Sequence, residues 1–273
     1  MQGNNANSPD MSDHQSVMHR FSAAAGAYDA LASVQEQVAA TLAARWKRLP
    51  APRHILEIGC GTGKLTRRLS EQYPHAHIHA IDISARMIRT ALAACGSLPR
   101  ISWETTDLLE LPTTARFDLV ASASSLHWVA PFPAAIRQIA AVLVPGGYLS
   151  ASIMIEGTLK ELHEARRAAA PAKPPRTSLP SREIAEMALD GSGFDISDLT
   201  EEAHEKHYPT AQALLEAIHR QGLTGGGISS AGTPLTRGEL ETLKGYYSDT
   251  FTNPAGGVSA SYRVLYITAE KRA

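Results

Sequence analysis

Three acids and three glycines in the first half of the chain have the types and spacing to hold a ligand that carries a nucleoside. In Ile55-Leu56-Glu57-Ile58-Gly59-Cys60-Gly61-Thr62-Gly63 an apolar run enters glycines two residues apart, with a carboxylate two residues ahead of the first. Such a turn lets backbone approach a ligand closely, and a helix predicted over residues 64–71 aims its N-terminal amides at it. Glu57 selects for charge, because it would repel a pyrophosphate and attract an ammonium group. The spacing also departs from the dinucleotide pattern: Lys64 stands where G-x-G-x-x-G would place another glycine.

Two further acids follow at the ends of apolar runs. Asp82 closes His79-Ala80-Ile81-Asp82, where a carboxylate can bond both hydroxyls of a ribose; the alternative, capping the next helix, suits Ser84 better. Ile83 and Met87 can sandwich a flat base. Asp107, in Thr105-Thr106-Asp107-Leu108, can accept a proton from an adenine amino group or cap a turn. A carboxylate in a buried strand is costly alone, so Glu57 needs a cationic partner, either the ligand's ammonium or a structural ion pair.

These residues must be positioned by strands alternating with helices. Strands are predicted over residues 54–58, 77–81, 101–105 and 117–122, with helices over 65–72, 85–94 and 133–143, the last ended by Pro145-Gly146-Gly147. A fifth strand follows over 148–155. Helices over 159–170 and 182–189 flank a Pro-rich segment, then come a strand over 194–208, a helix over 211–221 and a glycine-rich loop over 222–232. A helix over 236–247 has Thr236 and Glu239 spaced as a capping box, and a last strand covers 259–271. Ahead of them, residues 17–28 and 31–48 read as helices and residues 1–16 as disordered. The fold class is α/β: a Rossmann-like, mostly parallel sheet of seven strands with ligands at its carboxyl ends, an N-terminal helical segment and helical lid insertions. A single domain is expected over residues 17–273, divided into N-terminal helices (17–50), a ligand-binding core (51–155), a helical lid with the sixth strand (156–258) and the last strand (259–273).

Composition narrows the setting. The 273 residues are 44% hydrophobic and 19% charged, which is ordinary for a globular protein. No apolar run approaches the roughly 18 residues that span a bilayer, and the polar N-terminus lacks a secretory core, so no membrane partner and a cytoplasmic location are expected. A net charge of −1 argues against a general nucleic-acid binder. Cys60 and Cys95 form no metal-ligand spacing and no disulfide framework. His75, His77 and His79 share one face of an extended segment, but no acid or Cys completes a metal set, so no metal is expected.

The glycine turn and its acids resemble the first motifs of class I S-adenosylmethionine-dependent methyltransferases over about residues 50–155. The resemblance implies S-adenosyl-L-methionine as cofactor, held by Glu57, Gly59, Cys60, Gly61, Gly63, Asp82, Ile83, Met87, Asp107, Leu108 and Ser122. Past the fourth strand, Ser122-Ala123-Ser124-Ser125-Leu126-His127-Trp128 leaves the sheet where its side chains can face the acceptor, and its Leu-His-Trp is similar to a stretch of carboxyl methyltransferases in which the Trp indole N–H holds the substrate carboxylate. Trp128 is then an acceptor-orienting donor with His127 as a neutral hydrogen-bonding neighbour, unless the indole packs in the core with its N–H on a backbone carbonyl.

A narrower resemblance covers nearly the whole chain. Arg20-Phe21, Ala23-Ala24-Ala25, Tyr28-Asp29 and Gln35 or Gln37, then residues 157–163, 179–184, 235–240 and 262–267, stand in the order found in the malonyl carrier-protein O-methyltransferases of biotin synthesis. His127, where relatives carry Gln, and the loop Gly225-Gly226-Gly227 depart from it. It implies Tyr28 and Gln35 as added cofactor contacts, and methyl transfer to the carboxylate of a malonyl thioester on acyl carrier protein or coenzyme A. A carboxyl methyltransferase for a free small acid and a non-catalytic cofactor-binding subunit are the alternatives. From Lys160 to Arg182 the chain has six basic and two acidic residues, whereas Glu183 to Lys206 has eight acids and one base. Lys160, Arg166, Arg167, Arg176 and Arg182 are thus expected to dock the acidic carrier, raising the association rate. The arginine facing the malonyl carboxylate stays open among Arg20, Arg182, Arg220 and Arg263.

Overall fold

The computed structural model describes residues 33–273 except 97, 115, 176–178, 222, 224–232 and 255. Seven strands form one sheet: β1 (His54–Ile58), β2 (His77–Asp82), β3 (Ile101–Thr105), β4 (Phe117–Ala123), β5 (Leu143–Met154), β6 (Phe194–Tyr208) and β7 (Val258–Lys271). Their spatial order is β3-β2-β1-β4-β5-β7-β6. The first five are parallel, and β7 runs antiparallel to both β5 and β6. The chain builds outward from β1 to β3 and then returns to place β4 on the other side of β1. That reversal opens a crevice beyond the carboxyl ends of β1 and β4.

Central strands are buried on both faces, as an apolar run such as Ile55-Leu56-Glu57-Ile58 requires. One face packs α1 (Ser33–Arg45), α2 (Lys64–Gln72) and α3 (Ala85–Cys95) together with α5 (Lys160–Ala169), α7 (Ala211–Arg220) and α8 (Arg237–Thr250). The opposite face packs α4 (Phe132–Val142) and α6 (Arg182–Gly191). Caps set the helix starts: Ser84 Oγ accepts from Met87 N at 3.3 Å, and Thr236 with Glu239 completes a reciprocal capping box.

The second half is joined to the sheet by buried polar contacts. Tyr247 of α8 donates to the Ser259 carbonyl at 2.7 Å, the Tyr208 and Tyr262 hydroxyls meet at 3.1 Å, and Glu161 of α5 accepts from the Ser261 amide at 3.1 Å. At the other end, Arg45 closes α1 with Asp198 and Glu202 while lying 4.6 Å over the Tyr266 ring.

One boundary differs from expectation. The helix predicted ahead of Pro145-Gly146-Gly147 is present and ends at Val142, but those three residues lie inside β5, which starts at Leu143 and not at Tyr148. The pairing passes from Phe117 with Leu143 to Leu119 with Tyr148, so the two glycines take up an irregularity in the ladder. Gly147 has no room for a side chain there, since a Cβ would come within 2.9 Å of the Val144 carbonyl oxygen. The predicted disorder over 1–16, the helix over 17–28 and all but Leu223 of the loop over 222–232 lie outside the described residues. Among the described residues, no helix is long and apolar enough to cross a membrane, and no cluster of His, Cys, Asp or Glu has the makings of a metal site.

Candidate active site

The crevice at the strand ends is a cleft of about 740 Å³, open to solvent. Its floor is the glycine turn. Gly59, Gly61 and Gly63 have φ of 68°, 55° and 85°, a left-handed region that favours glycine. Gly59 has a second reason to lack a side chain: a Cβ would lie 1.9 Å from Ser125 Oγ, so the turn after β1 presses directly against the turn after β4. The turn is tied to β2, with the Gly59 and Cys60 amides both donating to the Ile81 carbonyl at 2.9 and 3.0 Å.

Asp82 occupies the end of β2 and lines the cleft. Its two oxygens accept from the Gly61 amide at 2.9 Å and the Ser84 amide at 2.8 Å. Burial pushes its carboxyl above the ordinary range and those two amides pull it back. Asp82 therefore both shapes the glycine turn and leaves lone pairs for a ligand. Ile83, Met87 and Leu108 supply apolar walls beside it. Asp107 faces the cleft and also caps the short turn Leu108–Glu110, its Oδ1 accepting from the Leu109 amide at 2.9 Å. Both roles weighed for this residue are compatible with its position.

Glu57 lies behind the turn, not on the cleft wall. It is fully buried, and among the described residues neither carboxyl oxygen has a hydrogen-bond partner. Burial raises its pKa to about 8; the Thr66 hydroxyl and amide favour the charged form without completing a hydrogen bond, and the Asp82 charge adds to the rise. The structural ion pair weighed for Glu57 is not formed among the described residues. Cys60 is buried with a thiol raised by desolvation, which makes it inert. Gly63 backs onto α3, where a Cβ would meet Cys95 Sγ at 2.6 Å. Ser122 is buried and donates to the Ile58 carbonyl at 2.9 Å, tying β4 to β1. Gln35 is buried on α1, donating to Gln221 Oε1 at 3.5 Å while its own Oε1 has no partner among the described residues. Tyr28 lies outside the described residues.

The far wall is the turn that leaves β4. Trp128 lines it. His127 does not; it is buried beneath Trp128 with ring centroids 5.4 Å apart. Its Nδ1 accepts from the Met154 amide at 3.3 Å, which places the ring proton on Nε2, and burial lowers its pKa to about 3. A neutral imidazole of this kind holds β5 to the turn and cannot serve as a base at neutral pH. Ser124 and Ser125 also line the wall, together with Val129. Both serines belong to the segment from Ser122 to Trp128 expected to face the acceptor, but neither carries an individual role in the sequence, since their roles depend on the backbone angle at 124, which composition does not encode.

Of the basic residues expected to dock a carrier, Lys160 and Arg167 are exposed and Arg182 is half-buried at the start of α6. Arg166 is bound to the Lys173 and Thr233 carbonyls at 2.9 and 2.7 Å, and Arg176 lies outside the described residues. None of the arginines considered for the acceptor carboxylate lines the cleft among the described residues: Arg263 is held by Glu201 and the Glu156 carbonyl.

A glycine turn, a carboxylate after β2 and an acid after β3, set at the switch point of a 3-2-1-4-5-7-6 sheet, define a Rossmann-like methyltransferase, and residues 55–147 match a family model described as a methyltransferase domain. A putative methyltransferase from Bacillus halodurans C-125 shares the fold with a TM-score of 0.62 at 14% identity, covering 87% of this chain and all of its own. The malonyl-[acyl-carrier protein] O-methyltransferase of Geobacter sulfurreducens is 31% identical across 94% of this chain and 98% of its own length. That of Herminiimonas arsenicoxydans is 30% identical across 96% and 98%. The chain belongs to the malonyl-[acyl-carrier protein] O-methyltransferase family.

Proposed function

We propose that this chain methylates the free carboxylate of a malonyl thioester on acyl carrier protein, giving the methyl ester that starts pimeloyl synthesis for biotin in the cytoplasm. The observation that carries this reading is similarity along 98% of a relative of that name, second half included. The glycine turn alone would fit any methyltransferase.

The residues fit S-adenosyl-L-methionine. Gly59 and Gly61 form a bare cradle, Asp82 offers acceptor oxygens for a ribose diol, Ile83, Met87 and Leu108 border a base, and Asp107 stands at its polar edge. Glu57 is an orphaned buried carboxyl that a nearby ammonium group would ionise, acting across the turn by charge instead of contact. When bound, the cofactor supplies a methyl carbon on a positively charged sulfur, whose transfer to oxygen leaves a neutral thioether.

The acceptor end matches an acid in particular. A carboxylic acid has a pKa of about 4, so it arrives ionised and needs no general base. Among the described residues lining that end, Ser124, Ser125, Trp128 and Val129 include none that titrates near neutrality. A phenol or alcohol acceptor would need a base that this wall does not offer. The task left to the protein is positioning and exclusion of water, which can contribute several kcal/mol. His127 holds the turn that carries Trp128 and is a positioning residue. Residues 17–273 act as one domain, with Lys160 and Arg167 as the exposed part of the carrier-docking surface and Arg182 beside it.

Mass spectrometry of malonyl acyl carrier protein after incubation with S-adenosylmethionine should show one added methyl group, removable by mild ester hydrolysis. Methylation of free malonate at equal or greater kcat/KM would replace the carrier-bound acceptor with a free small acid.

A further inference from the structure

Ser124 combines two features that are individually uncommon. Its φ is 54°, one of two positive values at non-glycine positions among the described residues, and it is placed at the carboxyl end of β4 inside the cleft wall. The conformation is imposed from outside: its amide donates to the Ser152 carbonyl at 2.9 Å and lies 3.3 Å from Ser152 Oγ, which fixes the turn to β5. Glycine would take this backbone without strain, so the structure keeps a Cβ and a hydroxyl at a position that penalises them.

Among the described residues the hydroxyl has no intramolecular partner. Ser124 Oγ is buried and has no hydrogen-bond partner, unlike Ser122 Oγ two residues earlier, which donates to the Ile58 carbonyl. A buried hydroxyl left unpaired is costly, and one set in a ligand cleft is paired when the ligand arrives. The cofactor-side polar groups, Asp82 and Asp107, are acceptors that follow β2 and β3, whereas Ser124 follows β4 on the turn that carries Trp128. A donor beside an indole is matched to an anion.

We propose that Ser124 is a specificity-determining contact of the acceptor site, its Oγ–H donating to the carboxylate oxygen of the acceptor that is not methylated, with the left-handed backbone at 124 holding the hydroxyl in place. This rests on the reading that the acceptor is a carboxylate. It assigns a hydrogen bond only; no proton is transferred.

The test uses Ser124→Ala, which removes the hydroxyl and keeps the Cβ, and Ser124→Gly, which removes both and relieves the backbone. Binding of malonyl-CoA to the full chain saturated with S-adenosylhomocysteine is measured by calorimetry, alongside S-adenosylhomocysteine affinity and methyl transfer to malonyl acyl carrier protein. Both variants should bind malonyl-CoA about tenfold more weakly and show a matching loss in kcat/KM, carried mainly by KM, with S-adenosylhomocysteine affinity within twofold of the parent. Ser124→Gly should melt no lower than the parent, which keeps the test valid if Ser124→Ala folds poorly. Unchanged acceptor affinity in Ser124→Gly overturns the proposal, as does a loss confined to S-adenosylhomocysteine, which would place the hydroxyl on the cofactor. A parent chain that binds malonyl-CoA through Ser124 without methylating it would overturn the proposed function and leave Ser124 standing. A parent chain with neither binding nor transfer overturns both.

Discussion

The two ends of the cleft are built by different means. The cofactor end, after β1 and β2, is made of backbone: glycines with positive φ, amides bound to Asp82, and an acid buried behind them. The acceptor end, after β4, is made of neutral side chains on a turn held by Ser152 and by His127 against β5. In the proposed reading the first answers to the charge and shape of the cofactor, and the second sets what is methylated, through hydrogen-bond donors that carry no charge of their own. The ends meet where Gly59 abuts Ser125, so the sharpest way to break the distinction is to push them apart.

Gly59→Ala should have the largest effect. The new Cβ would fall 1.9 Å from Ser125 Oγ in a backbone conformation that already disfavours it, and overpacking of this kind costs about 1–3 kcal/mol even before function is considered. Cofactor affinity and acceptor kcat/KM should both fall by more than roughly 100-fold, the sum of a strained turn and a displaced far wall. Loss of only one of the two would show that the ends are mechanically independent. Gly61→Ala is the control, because a Cβ there would meet no atom of the described residues within 4 Å; it should weaken S-adenosylhomocysteine binding and spare the wall at Ser125.

Glu57→Gln ranks next, and it separates buried charge from contact. The unfolded carboxyl titrates near 4.5 and the folded one near 8, so between those values the unfolded state binds fewer protons and stability falls as pH rises, by about 1.4 kcal/mol per pH unit. Below 4.5 the group costs nothing, and above 8 the loss is complete. Thermal melts of the parent without ligand should therefore decline from pH 5 to pH 8, and those of Glu57→Gln should decline less. Cofactor affinity should do the reverse: an ammonium-bearing ligand ionises Glu57 and releases a proton, so S-adenosylhomocysteine binds more tightly as pH rises toward 8. In Glu57→Gln that slope should vanish. A persisting slope would assign the proton to another group.

The cofactor end was legible because its constraints act on residue type. Only glycine fits at 59, and only an acid can do what Asp82 does with the Gly61 and Ser84 amides. The sheet was legible for the same reason, strand runs and helix caps being local: residues 54–58, 101–105 and 194–208 were placed to the residue. What escaped reading depends on three-dimensional neighbours. The fifth strand was placed from Tyr148 instead of Leu143 because the ladder irregularity beside Asp118 has no signal in sequence. Arg166 looked like one more docking charge until its bonds to the Lys173 and Thr233 carbonyls were seen. Ser124 resembles any strand-end serine until its φ is known.

Trp128→Phe tests the acceptor end alone. It keeps the aromatic packing over His127 and removes the indole N–H. A hydrogen bond to a charged group is worth about 1.5–3 kcal/mol, so acceptor kcat/KM should drop by roughly 10- to 100-fold. S-adenosylhomocysteine affinity should stay within twofold. Unchanged acceptor kinetics would mean that the indole proton serves the fold and that the far wall recognises its anion through the serines.

The smallest effect lies outside the cleft altogether. Reversing Lys160 and Arg167, both exposed on α5, removes attraction for an acidic carrier without touching either end of the site. Surface charges act mainly on encounter, so kcat/KM for malonyl acyl carrier protein should fall about three- to tenfold at low salt, with the difference shrinking as ionic strength shortens the roughly 10 Å screening length at 0.1 M. Malonyl-CoA, which carries no acidic protein surface, should be used as well as before. Arg166 is left in place because its hydrogen bonds hold neighbouring loops, and reversing it would mix folding with docking. Equal losses on carrier and coenzyme substrates would remove α5 from the docking surface and send the search to Arg182 at the start of α6.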